Sequence, residues 1–232
     1  MKQEPIALAW SGGKDSAMAL RAIRREGIYS VATLLTTCTE GFRRVSVHGV
    51  RCSLLNRQVE AIGLPCRKVF IPQHCPNDCY ERLMGEALQN LKKAGVTKVA
   101  FGDLFLEDIR AYRDRTLATL GMTALYPIWG VSTTLLAREF IEAGFGATLV
   151  CVDSQKLNGE FAGRAFDKSL LAELPSGIDP CGENGEFHTF VHQGPLFREP
   201  ISYRPGRVVQ RGQFRFADLL PGTTNKERIY AK

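Results

Sequence analysis

Short apolar runs alternate with amphipathic stretches along the first half of the chain. Ile6–Trp10 and Ser30–Thr36 have the length and apolar character of strands, whereas Lys14–Glu26 repeats Ala17, Leu20 and Ile23 at three-residue spacing, the period of a helix face. The alternation predicts a helix over Arg51–Ile62, a strand over Arg67–Ile71, a helix over Asn77–Ala94 capped by Asn77 and closed by Gly95, and a strand over Thr97–Gly102. It continues with a helix over Glu107–Leu120, a short strand near Ala124–Ile128, a helix over Thr133–Ala143 and a strongly apolar strand over Ala147–Val152. Strands that alternate with helices imply an α/β fold, a mostly parallel sheet covered by helices on both faces. Ligands of such sheets sit beyond the carboxyl ends of the strands.

The texture changes from Asp153 onward. Asp153–Glu160 is polar, Leu174–Asn184 is rich in Pro and Gly, and the remainder reads as short strands and loops, among them Phe187–His192 and Arg207–Phe216. A second, smaller α+β domain is expected there, with a boundary near residues 121–130. The division is a nucleotide-binding domain over 1–125, a substrate-binding domain over 126–221 and a tail over 222–232.

Composition narrows the class. The 232 residues are 44% hydrophobic and 23% charged, enough apolar material for a buried core and too much for a disordered chain. No apolar run approaches the ~20 residues that cross a bilayer, and the first residues lead straight into a strand-like segment, so a soluble, cytoplasmic protein without a membrane partner is expected. Seven scattered cysteines, an odd number, point to reduced thiols. His74, Cys75 and Cys79 lack the second Cys/His pair of a metal site. The net charge of +6 is uneven: residues 1–60 carry nine basic and five acidic side chains, residues 61–192 carry 13 and 16, and residues 193–232 carry eight and three. Basic ends fit either a surface facing phosphate or nucleic acid, or dispersed, solvated arginines.

Candidate chemistry concentrates in Ser11-Gly12-Gly13-Lys14-Asp15-Ser16, between the first strand and the first helix. Paired glycines let the backbone turn sharply and bring its N–H groups to a phosphate, Ser11 and Ser16 offer hydroxyls, Lys14 offers charge, and the helix dipole points at the same spot. A carboxylate beside polyphosphate is repulsive unless it binds a metal or caps the helix, so Asp15 marks a Mg²⁺ ligand. A nucleotide with Mg²⁺ satisfies all these parts. The spacing is neither that of a Walker A loop nor that of a dinucleotide fingerprint.

Ser11–Ser16 resembles the PP-loop of the ATP pyrophosphatases, which cleave ATP between its α and β phosphates and adenylate an oxygen of the substrate. Further segments resemble the diphthine–ammonia ligase family within that superfamily: Val47–Val50, Ile62–Pro65, Gly102–Asp108, Arg110–Arg113, Asp179–Val191 and Gly194–Phe197. The resemblance covers about Ile6 to Phe197, and its most specific part is Gly182–Val191. It implies a Rossmann-like sheet of the PP-loop type and an AMP-forming ligase using ATP, Mg²⁺ and ammonium. The implied protein substrate is elongation factor 2 carrying diphthine, in the last step of diphthamide formation. Another carboxylate, or tRNA, is the alternative substrate for such an enzyme. The oligomeric state is open, a homodimer included.

The remaining candidates follow from chemistry and this resemblance together. Gly102 and Asp103 end a strand, where Asp103 projects into the ligand crevice. Glu107, Arg110 and Arg113 share roughly one helix face, to orient a charged substrate or to form a solvated, salt-bridged surface. Glu183 or Glu186 could take a proton from ammonium, Asn184 could hold an acyl oxygen, and His188 could bind substrate or phosphate. The same segment also reads as a glycine-rich turn into a strand. His48, after Arg43 and Arg44, falls near the adenine and ribose of this fold type. Cys181 lies inside the motif, yet nothing local lowers its pKa.

Overall fold

The computed structural model describes residues 3–223; residues 224–232, most of the expected tail, lie outside the described residues. A six-stranded sheet is built from β1 (Glu4–Ala9), β2 (Tyr29–Thr39), β3 (Arg44–Val45), β4 (Cys66–Ile71), β5 (Lys98–Ala100) and β6 (Thr123–Leu125). Five strands run parallel in the spatial order β4, β2, β1, β5, β6, and the two-residue β3 pairs antiparallel with the end of β2. β1 is the central strand, and its Ile6, Ala7 and Leu8 are fully buried. Helices α1 (Lys14–Glu26), α2 (Cys52–Ile62), α3 (Asn77–Lys93) and α4 (Glu107–Thr119) connect these strands. Chain order reverses across β1, which has β2 on one side and β5 on the other. A crevice therefore opens beyond the carboxyl ends of β1 and β5, where residues 10–13 and Gly102 lie.

The second half carries α5 (Thr133–Glu142), α6 (Lys168–Glu173) and an antiparallel sheet of β7 (Gly146–Asp153), β8 (Phe187–Gln193), β9 (Tyr203–Arg211) and β10 (Phe214–Pro221), in the order β8, β7, β10, β9. The division between residues 125 and 126 falls just past β6, the last strand of the first sheet. One apolar cluster nonetheless runs through both halves, from Leu8, Leu20 and Leu54 to Phe140, Val150 and Phe190. Among the described residues no helix is long and apolar enough to cross a membrane.

Two local expectations need correction. Asn77 does not cap α3: Pro76 holds the extended cap position and Asn77 is already the first helical residue, because the fixed φ of Pro76, −64°, sets the turn one residue earlier. Arg207–Phe216 is not one strand. Phe214 pairs with Arg211 across Gly212 and Gln213, and Gly212 takes a φ of 58°, so the segment is the tip of a hairpin. The Gly-Gln pair lacks the Asn-Gly or Asp-Gly signature that marks such turns in sequence.

One buried residue ties the two halves at the crevice. Gln58, fully buried on α2, donates from Nε2 to the carbonyls of Gly12 (3.0 Å) and Val191 (2.6 Å), and accepts from Trp10 Nε1 (3.2 Å). The Val191 N–H in turn donates to the Gly12 carbonyl at 2.9 Å. The glycine turn is thus clamped to β8. Gln58→Ala leaves several polar groups short of partners, so unfolding free energy is expected to fall by about 3 kcal/mol in urea melts. An unchanged midpoint would contradict the clamp.

Candidate active site

The crevice is a cavity of about 550 Å³ bounded by the ends of β1, β2 and β5, faces of α3 and α4, and the segment Gly182–Thr189. Its inner wall includes Trp10, Ser11 and Lys14–Ser16, the residues that flank the two glycines. Gly12 has a φ of 81°, and a Cβ there would stand 2.6 Å from Gln58 Oε1, so both backbone angle and space demand glycine. A Cβ on Gly13 would lie 3.0 Å from His48 Cε1 and 3.1 Å from the Thr189 carbonyl. Gly13 is the cap of α1 and has no side chain to cap it; Thr189 Oγ1 accepts from the Lys14 N–H at 3.0 Å in its place. Ser16 is buried and donates to the Gly13 carbonyl at 2.9 Å, while Ser11 Oγ accepts from the Gly13 N–H at 3.2 Å.

Lys14 does not stand free at the mouth of the turn. Its ammonium is buried, donates to Asp15 Oδ2 (2.9 Å) and to the Cys181 carbonyl, and faces the rings of Phe187 and Phe166 at 5.5 and 5.8 Å. Burial pulls its pKa down, but the Asp15 carboxylate and further acidic neighbours outweigh that and hold it above the ordinary value. Asp15 is raised by burial, against the opposing pull of Lys14. Its Oδ1 is buried and has no hydrogen-bond partner among the described residues. An acceptor oxygen left open at the positive end of a helix, beside the glycine turn, suits a cation that also touches phosphate.

Glu183 faces the same cavity. Its Oε1 accepts from the Leu104 N–H at 2.7 Å, and burial pushes its carboxyl up to about 7, helped by Asp15 and Asp103 and opposed by the Leu104 bond and Lys14. His48 Nδ1 lies 3.2 Å from the Thr189 carbonyl, and its ring centre is 4.6 Å from that of His188. Burial lowers His48 to about 4 and His188 well below the usual imidazole value, so both are neutral at pH 7. A neutral His188 meets a phosphate as a hydrogen-bonding ring and not as a cation. Asp103 is held by Arg113, with Nε to Oδ2 at 2.7 Å and Nη2 to Oδ1 at 3.0 Å, and Arg113 stacks on Phe101 at 4.2 Å. Gly102 has a packing reason: a Cβ there would stand 2.9 Å from the Asp15 backbone, so its absence lets β5 approach the first turn of α1.

Several candidates are not brought to the cavity. Of Glu107, Arg110 and Arg113, only Arg113 lines it. Arg110 stacks on Trp129 (4.6 Å) and Tyr126 (5.1 Å) and pairs with Asp114, and Glu107 is exposed at the start of α4. Glu186 is buried within its own loop, where Oε1 accepts from the Asp179 N–H and from Asn184 Nδ2, both at 3.1 Å. Neither Glu186 nor Asn184 lines the cavity, so these two shape the turn that presents Glu183 and His188. The Cys181 thiol is buried, pushed up to about 12, and donates to the Thr133 carbonyl at 3.3 Å.

Other cavity residues escape the sequence reading. Thr189 accepts from the first N–H of α1, and Tyr80, Met84, Tyr112 and Leu117 form a wall from α3 and α4; Gln58, buried behind the turn and outside the lining, clamps it to β8. Gln58 had a signal, since it interrupts the apolar stripe of Leu54, Leu55, Ala61 and Ile62. The wall residues had none, because a helix face covering a sheet and one lining a cavity share the same period.

Comparison with known proteins fits this geometry. Residues 4–124 match the diphthamide synthase N-terminal domain and residues 132–214 the diphthamide synthase C-terminal domain. The diphthine–ammonia ligase of Homo sapiens is 28% identical over 92% of this chain and 88% of its own length, and that of Rattus norvegicus is 24% identical over 97% and 93%. Among solved structures, a U34-tRNA thiolase from Methanococcus maripaludis with its [4Fe-4S] cluster overlaps 60% of this chain and 58% of its own, with a TM-score of 0.37 and 18% identity. That overlap is too loose to bear on function.

Proposed function

Because this chain belongs to the diphthamide synthase family, we propose that it is an ATP-dependent amide ligase that adenylates the diphthine carboxylate of elongation factor 2 and then amidates it with ammonium. The observation that carries this reading is the buried, unpartnered Oδ1 of Asp15 at the N-terminus of α1, facing a cavity that also holds Glu183. A volume of about 550 Å³ is in the ~300–1,000 Å³ range of small-molecule sites. Leu35, Met84, Val99 and Leu117 supply an apolar end for adenine, and the glycine turn supplies the polar end for phosphates.

Each chemical step has a residue suited to it. The substrate carboxylate attacks the α-phosphorus, the bond to the bridging oxygen breaks, and pyrophosphate departs. Negative charge builds on that leaving group, next to the α1 N-terminus and within reach of the Lys14–Asp15 pair. Mg²⁺ bound by Asp15 and the phosphates would neutralise part of the charge. Ammonium must lose a proton before its nitrogen can attack the acyl carbon and expel AMP. A carboxyl titrating near 7 is suited to take it, and Glu183 is the cavity carboxylate with that property.

The test is product analysis by mass spectrometry with ATP, Mg²⁺ and ammonium, with and without elongation factor 2 carrying diphthine. AMP, pyrophosphate and the small mass loss of an acid becoming an amide are expected only in the complete mixture. If AMP forms with another carboxylate or with tRNA and never with the diphthine protein, the substrate assignment falls while the nucleotide chemistry stands.

A further inference from the structure

A second cavity, about 1,060 Å³, opens between the second sheet and the loops that follow β2 and β4. Its floor is one face of the β9–β10 hairpin, where Arg207, Val209 and Arg211 alternate along β9 and Phe216, Asp218 and Leu220 along β10. β9 is the outermost strand of its sheet, so one edge of its backbone carries no ladder among the described residues. Phe42, Val47 and Val209 are 45%, 67% and 37% exposed here, an apolar lining left open to solvent.

The charge of the groove is uneven. Asp218 pairs with both Arg44 (2.9 Å) and Arg51 (2.6 Å), which leaves that trio one positive charge in excess. Arg211 lies over the rings of Phe42 and Phe216 at 5.1 and 5.9 Å, and neither it nor Arg207 has an acidic partner among the described residues. Two guanidiniums without an acidic partner among the described residues, set beside Phe42, Val47, Val209 and Leu220 in a cleft that also holds Arg44, call for an acidic occupant with some apolar side chains. Single-stranded nucleic acid fits less well, because Arg211 already covers the two aromatic faces on which bases would stack, and Val45, Ile71 and Leu220 offer phosphate nothing.

The groove adjoins the catalytic cavity, since Val45 and Val47 line both. Between them and the hairpin, His48 turns into the catalytic cavity and Gly49 packs beneath Phe216, where a Cβ would meet the ring at 2.7 Å. Val47 has a φ of 66°, a strained angle for a β-branched residue, fixed by the anchored neighbours on either side. It projects at the junction of the two cavities.

We propose that this groove docks the protein to be amidated, through an acidic, partly apolar segment laid along β9 that carries the acceptor side chain past Val47 to Glu183. The proposal rests on the reading of a protein substrate given above. Main-chain bonds to the free edge of β9 would give register, and Arg207 and Arg211 would select for acidic sequence.

The test uses the full chain, fluorescence anisotropy and two labelled probes, a short Glu/Leu peptide and an oligouridylate of similar length. The peptide is expected to bind, to weaken as salt rises, and to lose about tenfold in affinity in Arg207→Glu/Arg211→Glu, while the Kd for ATP moves less than about twofold. Thermal melts check that this exposed double variant is folded, and Arg207→Ala provides a milder second case. Peptide binding that is absent, indifferent to charge reversal or surpassed by the oligouridylate overturns the proposal. A turnover arm with diphthine-bearing elongation factor 2 separates the two readings. If it is amidated with the same KM by wild type and the charge-reversed variant, the groove assignment fails and the reaction stands. If wild type does not amidate it but peptide binding follows the arginines, the substrate fails and the groove stands.

Discussion

Asp15→Asn is expected to lower kcat/KM for AMP formation by about 10²- to 10³-fold while leaving the protein folded. The substitution keeps the volume of the side chain and an oxygen that can accept from Lys14, but removes the charge that would hold a cation at the unpartnered Oδ1. Asp15→Ala is a harsher change. It leaves the buried Lys14 ammonium with only the Cys181 carbonyl and two ring faces, and breaking a buried pair in this way costs about 3–5 kcal/mol. Comparing the two separates metal binding from folding. Kinetics across a Mg²⁺ titration, with melts of both variants, make the measurement. Chelation of Mg²⁺ should reduce the wild type to the level of Asp15→Asn, and wild-type turnover in Asp15→Asn would remove Asp15 from the site.

Glu183→Gln is expected to slow amide formation by about 10²- to 10⁴-fold and to abolish a rise in rate through about pH 7. The wild-type base must be unprotonated to take a proton from ammonium, so its rate climbs as the carboxyl ionises; the concentration of ammonium ion has to be held constant across the series. The same group gives a second readout in stability. Its pKa is raised from 4.5 to about 7 on folding, so the folded state holds the proton more tightly. Its stabilising contribution is therefore complete below pH ~4.5 and is lost as pH rises through about 7. Glutamine does not ionise. Relative to wild type, the variant should gain stability between pH 5 and pH 8, by up to ~3 kcal/mol and less where solvent reaches the carboxylate. Denaturant midpoints at the two pH values check this, and a constant difference would show that Glu183 ionises normally.

Sequence and structure divide the site according to the reach of each interaction. The glycine turn was legible because its reasons are local: Gly12 needs a positive φ, and α1 begins at the next residues. The parallel sheet was equally legible, since β1, β2, β4 and β5 are short apolar runs separated by helices of clear period. Glu183 and Glu186, three residues apart, could not be told apart in sequence. What separates them is that Glu183 reaches Leu104 at 2.7 Å across the chain, whereas Glu186 folds back on Asp179 and Asn184. Arg110 and Arg113 share a period, but Trp129 and Tyr126 take one and Asp103 the other.

The chain by itself determined the α/β order, the glycine turn and the residue types that surround it, because helix period, strand alternation and glycine geometry are set by neighbours in sequence. Tertiary structure alone decided that Lys14 is tied to Cys181, that Gln58 clamps the turn to β8, that burial pushes the Glu183 carboxyl up to about 7, and that a groove along β9 shares Val45 and Val47 with the first cavity. Each of these depends on burial or on contact between residues far apart in the chain, and burial is a property of the packed molecule that no local pattern records.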